Sequence, residues 1–129
     1  MAFDVLIDNA DRSEQKPNIL YKGDEILVID HEMAFAFTRL LGQATGGWNA
    51  ERVQFIYNHP FYSGLRRQPL DFDGFTSSVG RITDDEIRAI CAAVPAGFGT
   101  EYLERIGEHL ASARDQVGPM IDSIRRVMQ

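Results

Sequence analysis

Residues 11–35 read DRSEQKPNILYKGDEILVIDHEMAF. Two short runs rich in apolar, branched residues, NILY and EILVID, are separated by Lys22-Gly23-Asp24. Such runs around a Gly-Asp pair predict a β-hairpin. The polar stretch before them, DRSEQKP, ends in Pro17, which biases Lys16 away from helical angles and predicts a loop. Taken singly, the polar residues have plain explanations: Asp11 caps a turn, Asn18 bonds within its own loop, and Asp30 ends a strand at the surface.

Taken together they suggest more. A hairpin leads away and returns, so Asn18 and Asp30 should come to the same end of it. A loop Asp, then Asn, then a post-strand Asp is the order of polar groups in kinase-type phosphoryl transfer. Hard oxygen donors without histidine or cysteine are also what Mg²⁺ takes.

Outward from this stretch, residues 1–10 place Phe3, Leu6, Ile7 and Ala10 on one helical stripe. Met1 sits almost on that stripe with no capping residue before it, as if the chain began inside an element. Residues 33–41 form a helical or irregular apolar pattern stopped by Gly42, and 43–52 read as loop. Residues 55–65 are aromatic and irregular around His59-Pro60. A short helix is predicted over 71–79, with Phe72, Phe75 and Val79 on one side. Thr83-Asp84-Asp85-Glu86 forms a capping box that opens a helix striped by Ile87, Ile90, Cys91 and Val94 and ended by Pro95 and Gly97. A longer helix over 101–117 turns Leu103, Ile106 and Leu110 inward. Gly118-Pro119 kinks or restarts it ahead of Ile121, Ile124 and Val127. The expected fold class is α+β and mostly α, a small hairpin followed by a helical remainder.

The chain has 129 residues, which fits a single domain spanning 1–129 and large enough to bury a core unaided. Hydrophobic residues at 44% and charged residues at 25% argue against disorder. One cysteine, Cys91, excludes an internal disulfide and a cysteine-built zinc cluster, and makes a cytoplasmic location the default expectation. A net charge of −6 argues against nucleic-acid binding, and Arg66-Arg67 and Arg125-Arg126 read as solvated surface. Residues 1–10 lack the basic flank of a signal peptide, and no apolar run reaches the length of a membrane span.

The segment LIDNADRSEQKPNILYKGDEILVIDHEMAF, residues 6–35, resembles the catalytic core of the HipA-like kinase domain. That pattern runs through N-x-D-R, a short loop to P-N-[IL]-L, a hairpin, then [LV]-I-D-H and a small or apolar stretch. The resemblance continues through HPF at 59–61, LDFDGF at 70–75 and the run from DDEIRAICAAVP to the last helix, so it covers nearly the whole chain. It implies a protein-kinase-like C-lobe that uses ATP and Mg²⁺ to phosphorylate a hydroxyl, as on a protein serine or threonine. Asp11 is then the catalytic-loop aspartate, and Asn18 and Asp30 are the metal ligands. His31 helps to hold the cofactor loop, and Arg12 is either structural or a phosphate contact. Asp11 and Asn18 are seven positions apart, where protein kinases use five; the longer loop agrees with the HipA-like branch. Glu32 stands where the family usually has glycine, and either alters the loop's geometry or adds a carboxylate near the metal.

A kinase also needs a glycine-rich cover over the phosphates and a strand lysine pairing with them. The only lysines are Lys16 and Lys22, and the glycine cluster GQATGG at 42–47 follows the metal motif instead of preceding it. The expectation is therefore a C-lobe without its N-terminal ATP-binding lobe, inactive alone. Its partner would be a protein substrate, a separate N-lobe chain or a second copy. The rival expectation is a non-catalytic binding module that keeps the fold and acts through a partner chain; a lipid or small-molecule kinase is a third reading. His31, His59 and His109 lack zinc-site spacing, so His59 reads as packed or capping. Cys91 reads as buried and inert, and Trp48 as either an exposed contact or a packed residue.

Overall fold

The computed structural model describes residues 1–39, 48–95, 97 and 99–129. The fold is α+β and mostly helical: α1 (Ala2–Leu6), the strands β1 (Ile19–Lys22) and β2 (Glu25–Val28), then α2 (Tyr62–Leu65), α3 (Asp73–Gly80), α4 (Asp84–Ala92), α5 (Thr100–Asp115) and α6 (Val117–Met128). Single 3-10 turns cover Ala36–Arg39 and Gln54–Asn58. The expected loop over 43–52 and the glycine cluster at 42–47 fall mainly outside the described residues, as does the end of the 33–41 pattern.

The core gathers on α6. Met120, Ile121, Ile124, Val127 and Met128 are buried there and join Val5, Val53, Ile56, Phe72, Val79 and Ala113. The predicted α6 stripe is therefore present and wider than its three expected members. Gly118-Pro119 lies inside a restarted helix: α5 stops at Asp115, Gln116 departs from helical angles, and α6 begins at Val117. Proline is tolerated in that first turn because the backbone donors there have no helical partner to lose.

Three stripes differ from expectation. The first helix is only five residues long, and it buries Asp4, Val5 and Leu6 while Phe3 is 41% exposed and Ala10 is exposed. It ends early because Asp8 turns to a φ of 50° and the Phe35 N–H donates to the Ile7 carbonyl at 2.6 Å. On α5, Leu103, Ile106 and Leu110 are half-buried, and the buried face is set by His109 and Ala113. His109 satisfies its ring by donating from Nε2 to the Leu6 carbonyl at 2.7 Å, which lets a polar side chain take an interior position. On α4 only Ile87 is buried; Ile90 is 59% exposed, and Cys91 is half-buried instead of sealed. The capping box at Thr83 is fully formed, with the Glu86 N–H donating to Thr83 Oγ1 at 3.2 Å and the Thr83 N–H to Glu86 Oε2 at 2.8 Å.

Trp48 is packed: it is buried, with the Arg52 guanidinium 3.9 Å above its ring and His109 against its edge. Arg66 and Arg67 are exposed, as expected of solvated surface, and the Arg67 backbone N–H donates to the Met128 carbonyl at 2.7 Å, tying the loop after α2 to the end of α6. Among the described residues no helix is long and apolar enough to cross a membrane.

Candidate functional site

The hairpin forms with Ile19 opposite Val28 and Lys22 opposite Glu25, leaving Gly23-Asp24 as a two-residue turn. Gly23 takes a φ of +60°, which glycine adopts without a Cβ penalty. One step before Ile19 and one after Val28 the ladder is still closed, with the Ile29 N–H donating to the Asn18 carbonyl at 3.0 Å. Asn18 and Asp30 therefore lie at the same end of the hairpin, as its matched strand lengths predict. Both are in left-handed conformations, with φ of 48° and 54°. These are conformations that Asn and Asp tolerate better than most residues.

Arg12 holds that end in place. Its guanidinium is buried; Nη1 donates to the carbonyls of Asn18 and, at 3.2 Å, Ile29, one from each side of the hairpin base. Its Nε donates to Asp4 Oδ1 at 2.8 Å. Asp4 is itself buried and also meets His59 Nε2 at 3.1 Å. Burial works against the Asp4 carboxylate, yet the His59 and Arg12 hydrogen bonds hold its pKa well below the usual carboxylate range. His59 accepts the Phe61 N–H on Nδ1 at 3.2 Å, so it bonds Asp4 as a neutral Nε2–H donor; burial lowers its pKa. Of the two roles that the resemblance leaves to Arg12, this geometry fits the structural one, since its side chain has no solvent-facing surface for a phosphate.

The loop 11–17 turns on itself. The Ser13 N–H donates to the Lys16 carbonyl at 3.1 Å and the Lys16 N–H to Ser13 Oγ at 3.2 Å. This brings the Lys16 ammonium back over the site, where Nζ lies 2.7 Å from Asp11 Oδ2, 3.2 Å from Asp30 Oδ2 and 3.8 Å from Glu32 Oε1. The Asp11 hydrogen bond, followed by that of Asp30, raises the Lys16 pKa to about 12. Asp11 and Asp30 thus come together as the sequence suggests, about a cation that the chain itself supplies. The left-handed residue after β2 is Asp30 and not Glu32, so no glycine is needed at position 32, and the Glu32 carboxylate joins the acidic cluster.

The oxygen donors suit Mg²⁺ in kind. Among the described residues, however, no group of three or more histidine, cysteine, aspartate or glutamate side chains stands ready to hold a metal ion. Lys16 occupies the place between the carboxylates, so a metal there would have to displace an ammonium. His31 is exposed, its ring edge-to-face with Phe3 at 5.8 Å between centroids. Sequence reasoning missed Lys16. The signal was present in Ser13 at the head of a four-residue turn that ends on Lys16, a turn built by a side-chain hydroxyl.

No protein-family model, no curated protein and no solved structure matches this chain.

Proposed function

We propose that this chain is a HipA-like kinase C-lobe. In that reading Asp11 orients and deprotonates an attacking hydroxyl, while Asn18 and Asp30 hold Mg²⁺ at the base of the hairpin. The observation that carries it is the hairpin closed by Arg12, which sets Asn18 and Asp30 at one end with Asp11 beside Asp30 across Lys16. Magnesium with ATP supplies the transferable phosphoryl group and offsets charge on its oxygens. The chain's own part is to position: Asp11 on the hydroxyl, Asp30 and Asn18 on the cation, and Arg12 on the backbone that aims them. A further lobe, carried outside residues 1–129 or on another chain, covers the nucleotide. Its contact surface would include the hairpin, whose Leu20, Tyr21, Ile26 and Leu27 are each more than half exposed.

Lys16 favours a second reading, a binding module whose acidic cluster is neutralised internally and whose hairpin docks a partner without phosphoryl transfer.

Titrating the ¹⁵N-labelled chain with Mn²⁺ separates the two. The kinase reading expects paramagnetic broadening centred on Asp11, Asn18 and Asp30, lost in Asp30→Ala, with weak or no calorimetric binding of Mg–ATP in the absence of a covering lobe. Broadening that is absent, or that survives Asp30→Ala unchanged, removes the metal site and leaves the binding module.

A further inference from the structure

A second feature shares no residue with the Lys16 cluster. Helices α4 and α5 enclose a cleft of about 610 Å³ that opens to solvent. Its floor is apolar: Ile87 and Cys91 come from α4, and Leu103, Gly107 and Ala111 from α5. Those α5 residues are spaced four apart, so they form one ridge along the helix, roughly 12 Å long at 1.5 Å per residue. Gly107 lowers the middle of the ridge. A Cβ there would stand 3.7 Å from Cys91 Sγ and from Ile87, in ordinary van der Waals contact with α4, so a longer side chain would crowd the space between the helices.

The rim carries charge that the protein leaves unbalanced. Asp84 is tied to Arg114 at 2.6 Å, and Arg88 pairs with Asp85. Glu104 and Glu108, one helical turn apart on the cleft wall, have no ion-pair partner among the described residues. Like charges at i and i+4 weaken an isolated helix, so this pair calls for a positive group from outside.

We propose that the α4–α5 cleft docks an amphipathic helix of a partner protein, its apolar face seated on Leu103, Gly107 and Cys91 and its flanking lysines or arginines paired with Glu104 and Glu108. An open, straight trough suits a rod-like occupant laid along it. The unpartnered carboxylates select a basic one.

Cys91 is the only cysteine in the sequence and half-buried in the cleft, so its reaction with neutral N-ethylmaleimide reads occupancy directly. The probe is a synthetic amphipathic helical peptide with leucines at i, i+4 and i+7 flanked by lysines, compared with the same peptide carrying glutamates instead. The lysine peptide should slow Cys91 modification at concentrations where the glutamate peptide does not. Glu104→Gln with Glu108→Gln should weaken that protection at least about threefold, the scale of two partly exposed ion pairs. Gly107→Leu should fill the trough and abolish protection, with circular dichroism confirming the fold; Asp122→Asn, on α6, should leave it unchanged. Equal protection by both peptides, protection by neither, or protection indifferent to the two glutamine substitutions overturns the proposal. So does a Cys91 already shielded in a self-associated form that sedimentation detects without peptide.

Discussion

Lys16 Nζ lies 2.7 Å from Asp11 Oδ2 and 3.2 Å from Asp30 Oδ2, so one ammonium joins the aspartate proposed as base to the one proposed as a metal ligand. The side chain is 45% exposed, which leaves it free to swing away. Exposed pairs of this kind contribute little to stability, because water and salt screen them. Their consequence here is competition: the ammonium neutralises the site that a divalent ion would enter.

Lys16→Met should therefore raise the affinity of the chain for Mn²⁺, by about tenfold if the ammonium is the main competitor. The melting temperature should change little. Electron paramagnetic resonance of free Mn²⁺ measures the first and calorimetric scanning the second. Unchanged or weaker affinity in Lys16→Met would mean that the carboxylates hold no ion even when released.

Arg12→Met should be far more damaging. The substitution leaves Asp4 buried beside His59 with its strongest charged partner removed, and frees the carbonyls of Asn18 and Ile29. Breaking a buried ion pair from one side costs about 3–5 kcal/mol. Urea unfolding should show a loss of that order, and hydrogen exchange should show the hairpin opening before the rest. A loss below about 1 kcal/mol would contradict the clamp, since a surface substitution changes stability by less than that.

What the sequence disclosed here followed from local chemistry. The Gly23-Asp24 turn, the Thr83–Glu86 capping box and the apolar period of α6 are each decided by neighbours within a few residues, and all three are present. The burial of Asp4, Arg12 and His109 was not legible, because each is stabilised by a partner elsewhere along the chain; His59 reads as packed from the sequence, yet its bond to Asp4 spans 55 positions and could not be foreseen. For the same reason Phe3 was expected on the buried stripe, whereas it is exposed and Asp4 is buried instead. Asn18 and Asp30 were placed correctly at one hairpin end, yet Lys16 was not, since its reach depends on a turn closed by one serine hydroxyl.

Two buried histidines make stability depend on pH in a stated window. Burial is the largest influence on both His59 and His109, and it lowers the pKa of each below 6.5 in the folded state. The unfolded chain therefore binds more protons between the ordinary value and the lowered ones. Stability from these rings is complete above about pH 6.5 and declines as the pH falls through the window toward the folded values. Asp4, whose pKa is depressed, loses its own contribution only below the ordinary carboxylate range, which keeps the two effects apart. Melting temperature should fall between pH 7.5 and pH 5.5, and His109→Gln should flatten that fall. A flat profile in the unmodified chain would show that neither ring resists protonation.

If the covering lobe is found and phosphoryl transfer appears, Asp11 and Asp30 should fail in different ways. Asp30 lies two residues past β2 with its carboxylate 3.2 Å from Lys16 Nζ. It is the charged ligand of the proposed metal site, so Asp30→Ala should remove metal binding and transfer together. Glu32, 3.8 Å from the same ammonium, is the nearby carboxylate that the proposed mechanism leaves without another role. Asp11 lies on the loop, and its replacement would leave Asn18 and Asp30, the ligands of the proposed site, intact. Asp11→Ala should keep Mg–ATP binding within a small factor but slow transfer by roughly 10²–10⁴, the contribution of a positioned general base. Asn18→Ala should fall between them, weakening the metal without abolishing it. Radiolabel transfer beside a calorimetric binding curve for each variant makes the comparison. Transfer by Asp11→Ala at the unmodified rate would reduce Asp11 to the anchor of Lys16, and the loop to a turn that closes an acidic surface.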